Sequence, residues 1–77
     1  MVTIEIDPGC YEHVSPTLMA QGAAKLVRIL ERRRLRGGQK WQEPIDVAGN
    51  YIGFNCHYYA AEDTVVVTGA RYLRKKP

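Results

Sequence analysis

Long apolar runs are missing from this sequence, and so are most of the patterns that announce chemistry. The longest uninterrupted hydrophobic stretch falls far short of the ~20 residues a membrane helix needs, so no membrane-spanning segment is expected. Cysteine is scarce: Cys10 and Cys56 are the only two, and no secretory hydrophobic segment precedes them. Two cysteines make no disulfide framework, so a reducing cytoplasm and free thiols are expected. There is no P-loop, no glycine-rich dinucleotide turn, no Ser-His-Asp order and no pair of catalytic carboxylates. No cofactor is expected, and whether the chain is an enzyme stays open.

What is present is one small domain's worth of core. Hydrophobic residues make up 45% of the 77, enough for a single core spanning residues 1–77 with a thin margin. Chains of this size often draw stability from a partner or from self-association. The formal net charge is +3, from 11 Lys and Arg against 8 Asp and Glu. "RILERRRLRGGQK" and "ARYLRKKP" carry most of the cations, whereas "TIEID", "YEH" and "AAED" carry acids. The modest excess is compatible with nucleic acid or an acidic protein surface.

The order of elements reads β-α-β-β-β. "VTIEI" alternates and is β-branched, predicting a strand from Val2 to Ile6 that "DPG" ends. Residues 10–14 connect to a helix that Ser15 caps and Pro16 opens. The helix is predicted to run to about Arg36, where Gly37 and Gly38 stop it. Met19, Ala23, Leu26, Val27 and Leu30 fall on one face of it. Lys25, Arg28, Arg32 and Arg36 form a stripe opposite. Gly22, inside the helix, costs about 1 kcal/mol relative to alanine and would permit close approach to a sheet. "KWQEPIDV" is a strand whose Pro44 argues for an edge. "AGN" at 48–50 is a hairpin turn, "YIGFNCHYY" the next strand, "AAED" a second turn and "TVVVTGARYL" the last strand. The expected architecture is α+β: an antiparallel sheet with one long amphipathic helix packed on one face.

Cys10 with His13, and Cys56 with His57, suggest a metal site. Adjacent strand residues point to opposite faces, so Cys56 and His57 cannot both reach a tetrahedral zinc at ~2.0–2.3 Å. Ile52, Phe54 and Cys56 belong inside, and no metal is expected. A loop pair such as Cys10 and His13 would suit a turn, but a C-x-x-H is common by chance.

The opposite parity sets Tyr51, Asn55, His57 and Tyr59 on the exposed face. Rings on an open sheet, flanked by arginines, suit single-stranded RNA: bases stack and cations hold phosphates. Arg71, Arg74, Lys75 and Lys76 would add to such a site. An exposed tyrosine row is equally suited to a protein partner or a second copy of the chain. The helix stripe Lys25, Arg28, Arg32 and Arg36 is the other candidate contact for an anionic partner, RNA or a nucleoprotein complex.

The second half, "GNYIGFNCHYYAAEDTVVVTGARYLRKK" after a helix rich in leucine and arginine, resembles the RelE/ParE-type toxin family. These are small ribonucleases or gyrase poisons of bacterial toxin–antitoxin pairs. The resemblance implies that Arg71 contacts the scissile phosphate, with His57, Tyr59 and the tail cations as auxiliary groups. Two functions are therefore expected in competition. One is a basic module acting on RNA, toxin-like or degenerate. The other is a non-catalytic inhibitor such as phages and mobile elements encode, anti-CRISPR proteins among them, that binds a host protein complex.

Overall fold

The computed structural model describes residues 2–77. It contains β1 (Thr3–Ile6), a 3-10 turn (Pro8–Glu12), α1 (Pro16–Leu30), β2 (Lys40–Val47), β3 (Asn50–Tyr59) and β4 (Thr64–Arg74). The architecture is α+β, one helix on one four-stranded sheet, and no helix among the described residues is long and apolar enough to cross a membrane.

Local signals start and stop these elements. The Asp7 carboxylate accepts from the Gly9 backbone N–H at 2.9 Å and turns the chain out of β1. Ser15 caps α1 by accepting from Leu18 N–H at 3.3 Å, with Pro16 in the first turn. The helix ends at Leu30, not near Arg36. Met19, Gly22, Leu26 and Leu30 are its buried positions. The next residues in that series, three and four further on, are Arg33 and Arg34, so the apolar stripe has nothing left to bury. The chain leaves the helix through a tight turn in which Arg33 N–H donates to the Leu30 carbonyl at 3.0 Å.

The sheet order is β1-β4-β3-β2, and β1 lies parallel to β4 while the other pairs are antiparallel. The expected antiparallel sheet is thus a mixed one. The reason is directional: α1 carries the chain back, so β1 and β2 run the same way, and two hairpins later β4 runs that way too. Pro44 explains why β1 joins the β4 side. Ala48 and Gly49, with φ of 53° and 84°, form a two-residue turn between Val47 and Asn50. Such a turn closes on a hydrogen-bonded pair. Counting back in twos makes Pro44 and Gly53 a pair without mutual hydrogen bonds. Proline's missing N–H therefore falls on the free edge of β2, where a fifth strand would have needed it.

Ile45, Val47, Ile52, Phe54, Cys56, Val65 and Val67 face α1 and are buried. Phe54 is the largest wholly buried side chain, and it occupies the space next to Gly22: a Cβ there would come within 2.2 Å of Phe54 Cζ. Close approach of helix to sheet is what the glycine allows.

Candidate nucleic-acid interface

The sheet face turned away from α1 is open. On β3 it carries Tyr51, Gly53, Asn55, His57 and Tyr59, because strand residues alternate. Tyr51 and Tyr59 are 37% and 42% exposed, enough ring area for a planar ligand to stack on. His57 and Tyr59 lie side by side, ring centroids 4.3 Å apart and tilted by 36°. Asn55 sits between the two aromatic ends, opposite Gln42 of β2 and Gly69 of β4. A shallow cleft bordered by Lys40, His57, Asn55 and Thr68 runs past it.

The last strand adds the cations through two irregularities. Its register against β3 shifts between Asn55 and Cys56 and again between Tyr51 and Ile52, leaving Thr68 and Leu73 as extra residues of β4. Before the first bulge Val65 and Val67 point inward; after it Ala70 and Tyr72 pair with inward-facing Phe54 and Ile52. Arg71 is left outward beside Gly53. Three residues later a regular strand would turn Arg74 inward. The second bulge restores it to the open face, paired with Tyr51, its guanidinium 5.8 Å from that ring's centroid. Lys75 approaches the half-buried Tyr72 ring at 4.9 Å. The tail is tied down where Lys76 N–H donates to the Asn50 Oδ1, at the start of β3, at 2.8 Å.

Of the eleven residues the sequence singles out, six share this sheet face, Tyr51, Asn55, His57, Tyr59, Arg71 and Arg74, while Lys75 follows the strand and reaches the Tyr72 ring on the α1 side. The other four lie elsewhere. Lys25 and Arg28 ride on α1, which covers the opposite sheet face; Lys25 Nζ donates to the Asp46 carbonyl. Arg32 and Arg36 lie beyond the helix end, in the connection to β2, so the four cations form no helical stripe.

The two Cys-His pairs come apart. Cys56 is 3% exposed and points into the core, while His57 faces outward. Burial pushes the Cys56 thiol up to about 12, with the Glu43 charge adding to the effect and Arg33 opposing it. Cys10, 1% exposed, donates its thiol to the Val67 carbonyl at 3.4 Å. Burial, then Asp7, raises its pKa as well. His13 lies outside on the cleft that Arg71 and Thr68 border. Both thiols are protonated at neutral pH and shielded, so neither serves as a nucleophile. Among the described residues no three His, Cys, Asp or Glu side chains gather as metal ligands. Tyr58 donates to Asp63 at 2.7 Å, and that hydrogen bond raises its pKa; it lies off the open face.

One polar network was not anticipated. Glu43 shares the inward parity of Trp41 and Ile45 and is 6% exposed. Arg33 grips it with both guanidinium nitrogens, and Trp41 Nε1 donates to the same carboxylate at 2.9 Å. A glutamate at an inward position of a strand was the available signal, since a buried carboxylate needs a cation. Arg33 is thus a structural clamp.

No protein-family profile matches the chain, and no curated protein or solved structure matches it either.

Proposed function

We propose that the open sheet face binds single-stranded RNA without base-pair reading. Stacking on Tyr51, His57 and Tyr59 and phosphate contact by Arg71 and Arg74 would provide the affinity. The observation that carries the reading is the shared face: three rings, one amide and two bulge-positioned arginines stand outward together. Every base offers a ring face, so such a platform is sequence-tolerant. The RelE/ParE resemblance would add cleavage at Arg71. That family's helical hairpin has no counterpart here, since α1 is the one α-helix among the described residues. Binding is therefore proposed without cleavage.

Fluorescence anisotropy with a labelled single-stranded RNA tests this. Affinity should fall about tenfold or more between 50 and 200 mM salt, since several phosphate contacts release counterions. Tyr59→Ala and Arg71→Ala should each weaken it, and Arg28→Ala, on the far side, should not. Undetectable or salt-insensitive binding overturns the reading.

One observation favours a second reading, a non-catalytic inhibitor gripping a host protein complex. Glu5 and Glu62 border the same face beside Tyr59, where a polyanion would be repelled. Co-purification with a protein complex that survives nuclease treatment would support it.

A further inference from the structure

The open face carries charges of both signs, sorted by position and unpaired. Among the described residues the salt bridge present is Arg33 with Glu43, on the other side of the sheet. Pairing across the strands arranges the open face in five rows. The first holds Thr3, Thr64 and Tyr59; the second Glu5, Val66, His57 and Lys40. The middle row is Gly69, Asn55 and Gln42. The fourth holds Arg71, Gly53 and Pro44; the fifth Arg74, Tyr51 and Asp46. On the β1–β4 side the acids lie at the first end, where Glu5 and Glu62 border a cleft floored by Tyr59, Thr64 and Val66. The arginines of that side lie at the far end. On the β2 side the order is reversed, with Lys40 at the first end and Asp46 at the far one.

We infer that this face binds a second copy of the chain, sheet on sheet, about a two-fold axis lying along the middle row. An isologous contact applies one patch to itself, so each charge must meet its opposite when the rows are exchanged end for end. This pattern does so on both sides of the sheet. The half-turn brings Arg71 and Arg74 of one copy over the Glu5–Glu62 cleft of the other, and the reverse. It also brings Lys40 toward Asp46 of the second copy, one row away and within reach of a long side chain. Side-chain chemistry follows the same exchange. The His57 ring falls opposite Gly53 and the Gln42 amide that lies across it, Tyr59 opposite Tyr51, and Asn55 opposite its own counterpart, an amide that both donates and accepts. Face-packed sheets cross at about 30°, an offset that arginine and glutamate side chains span.

The size suffices and the alternative edges do not. Four strands about 4.8 Å apart and five rows about 6.8 Å apart give roughly 550 Å² per copy. The total of roughly 1,100 Å² is at the small end of specific interfaces. Edge pairing is hindered at β2 by Pro44 and at β1 by a length of four residues. The inference goes beyond the RNA reading and stands without it. If both hold, a second copy and RNA compete for one face.

Sedimentation equilibrium without RNA, from 10 µM to 1 mM protein, measures the self-association directly. A dimer is expected at 50 mM salt, with its dissociation constant raised about tenfold or more at 500 mM as screening shortens the reach of the charges. The variant Glu5→Lys/Glu62→Lys and the variant Arg71→Glu/Arg74→Glu should each be monomeric while keeping the wild-type circular dichroism spectrum. Mixed together they should form a heterodimer. A monomer at every concentration at low salt overturns the inference. So does wild-type dimerisation of either variant, or failure of the folded pair to recover association. Glu5→Lys/Glu62→Lys separates the two ideas, since it should lose the dimer and bind RNA more tightly.

Discussion

The ring of Phe54 fills the space that any side chain on Gly22 would have to enter, 2.2 Å from the position of its Cβ. A residue that weakens the helix locally sets the distance between helix and sheet. Gly22→Ala should therefore destabilise the protein, although alanine gains about 1 kcal/mol in helix propensity. Overpacking of this kind costs about 1–3 kcal/mol, and after the propensity gain the net loss should be up to about 2 kcal/mol by urea denaturation. In a Phe54→Leu background the same substitution should cost less, because the obstructing ring is gone.

Arg33 and Glu43 form the second test. Arg33→Ala strips a buried carboxylate of its cation and leaves it the Trp41 N–H alone. Breaking a buried pair costs about 3–5 kcal/mol; the Arg33 side chain is 45% exposed, which lowers the expectation to about 2 kcal/mol. Replacing both residues, as Arg33→Leu with Glu43→Leu, should recover most of it. Thermal and urea unfolding of the three variants would check this order.

Ala48 holds φ at 53° in the β2–β3 turn, a conformation that a Cβ disfavours and glycine or asparagine tolerates. Ala48→Asn or Ala48→Gly should raise stability by about 0.5–1 kcal/mol, a few degrees in Tm for a domain of this size. An unchanged or lowered Tm would contradict the turn geometry.

The thiols supply a pH dependence. Burial raises the Cys56 pKa from an ordinary 9.0 to about 12 in the folded state. The native protein keeps its proton where the unfolded chain ionises, so stability is full below about pH 9 and declines as pH rises toward 12. Cys56→Ala should flatten that part of the profile. In the native protein both thiols should resist a thiol reagent at pH 8 and react once urea unfolds the chain.

Much of the fold is legible in the residue pattern. Ser15-Pro16 marks where α1 begins, the Ala48-Gly49 turn fixes the hairpin, and period-two alternation in β3 assigns Cys56 inward and His57 outward. The helix end was legible too, in the charged residues three and four positions past Leu30; the glycines at 37 and 38 gave a stronger but misplaced stop. Glu43 was readable as a buried carboxylate once Trp41 and Ile45 were assigned inward.

Local periodicity, read from the sequence by itself, determined the elements, their inner faces and the aromatic row on β3. It did so because side-chain direction in a helix or strand depends only on residues a few positions apart. The tertiary structure decided the rest. Parallel docking of β1 on β4, separation of the Lys25–Arg28 face from the tyrosines, and the bulges that bring both Arg71 and Arg74 outward all depend on pairing between distant segments. A bulge is a mismatch between two strands, so neither strand's sequence contains it.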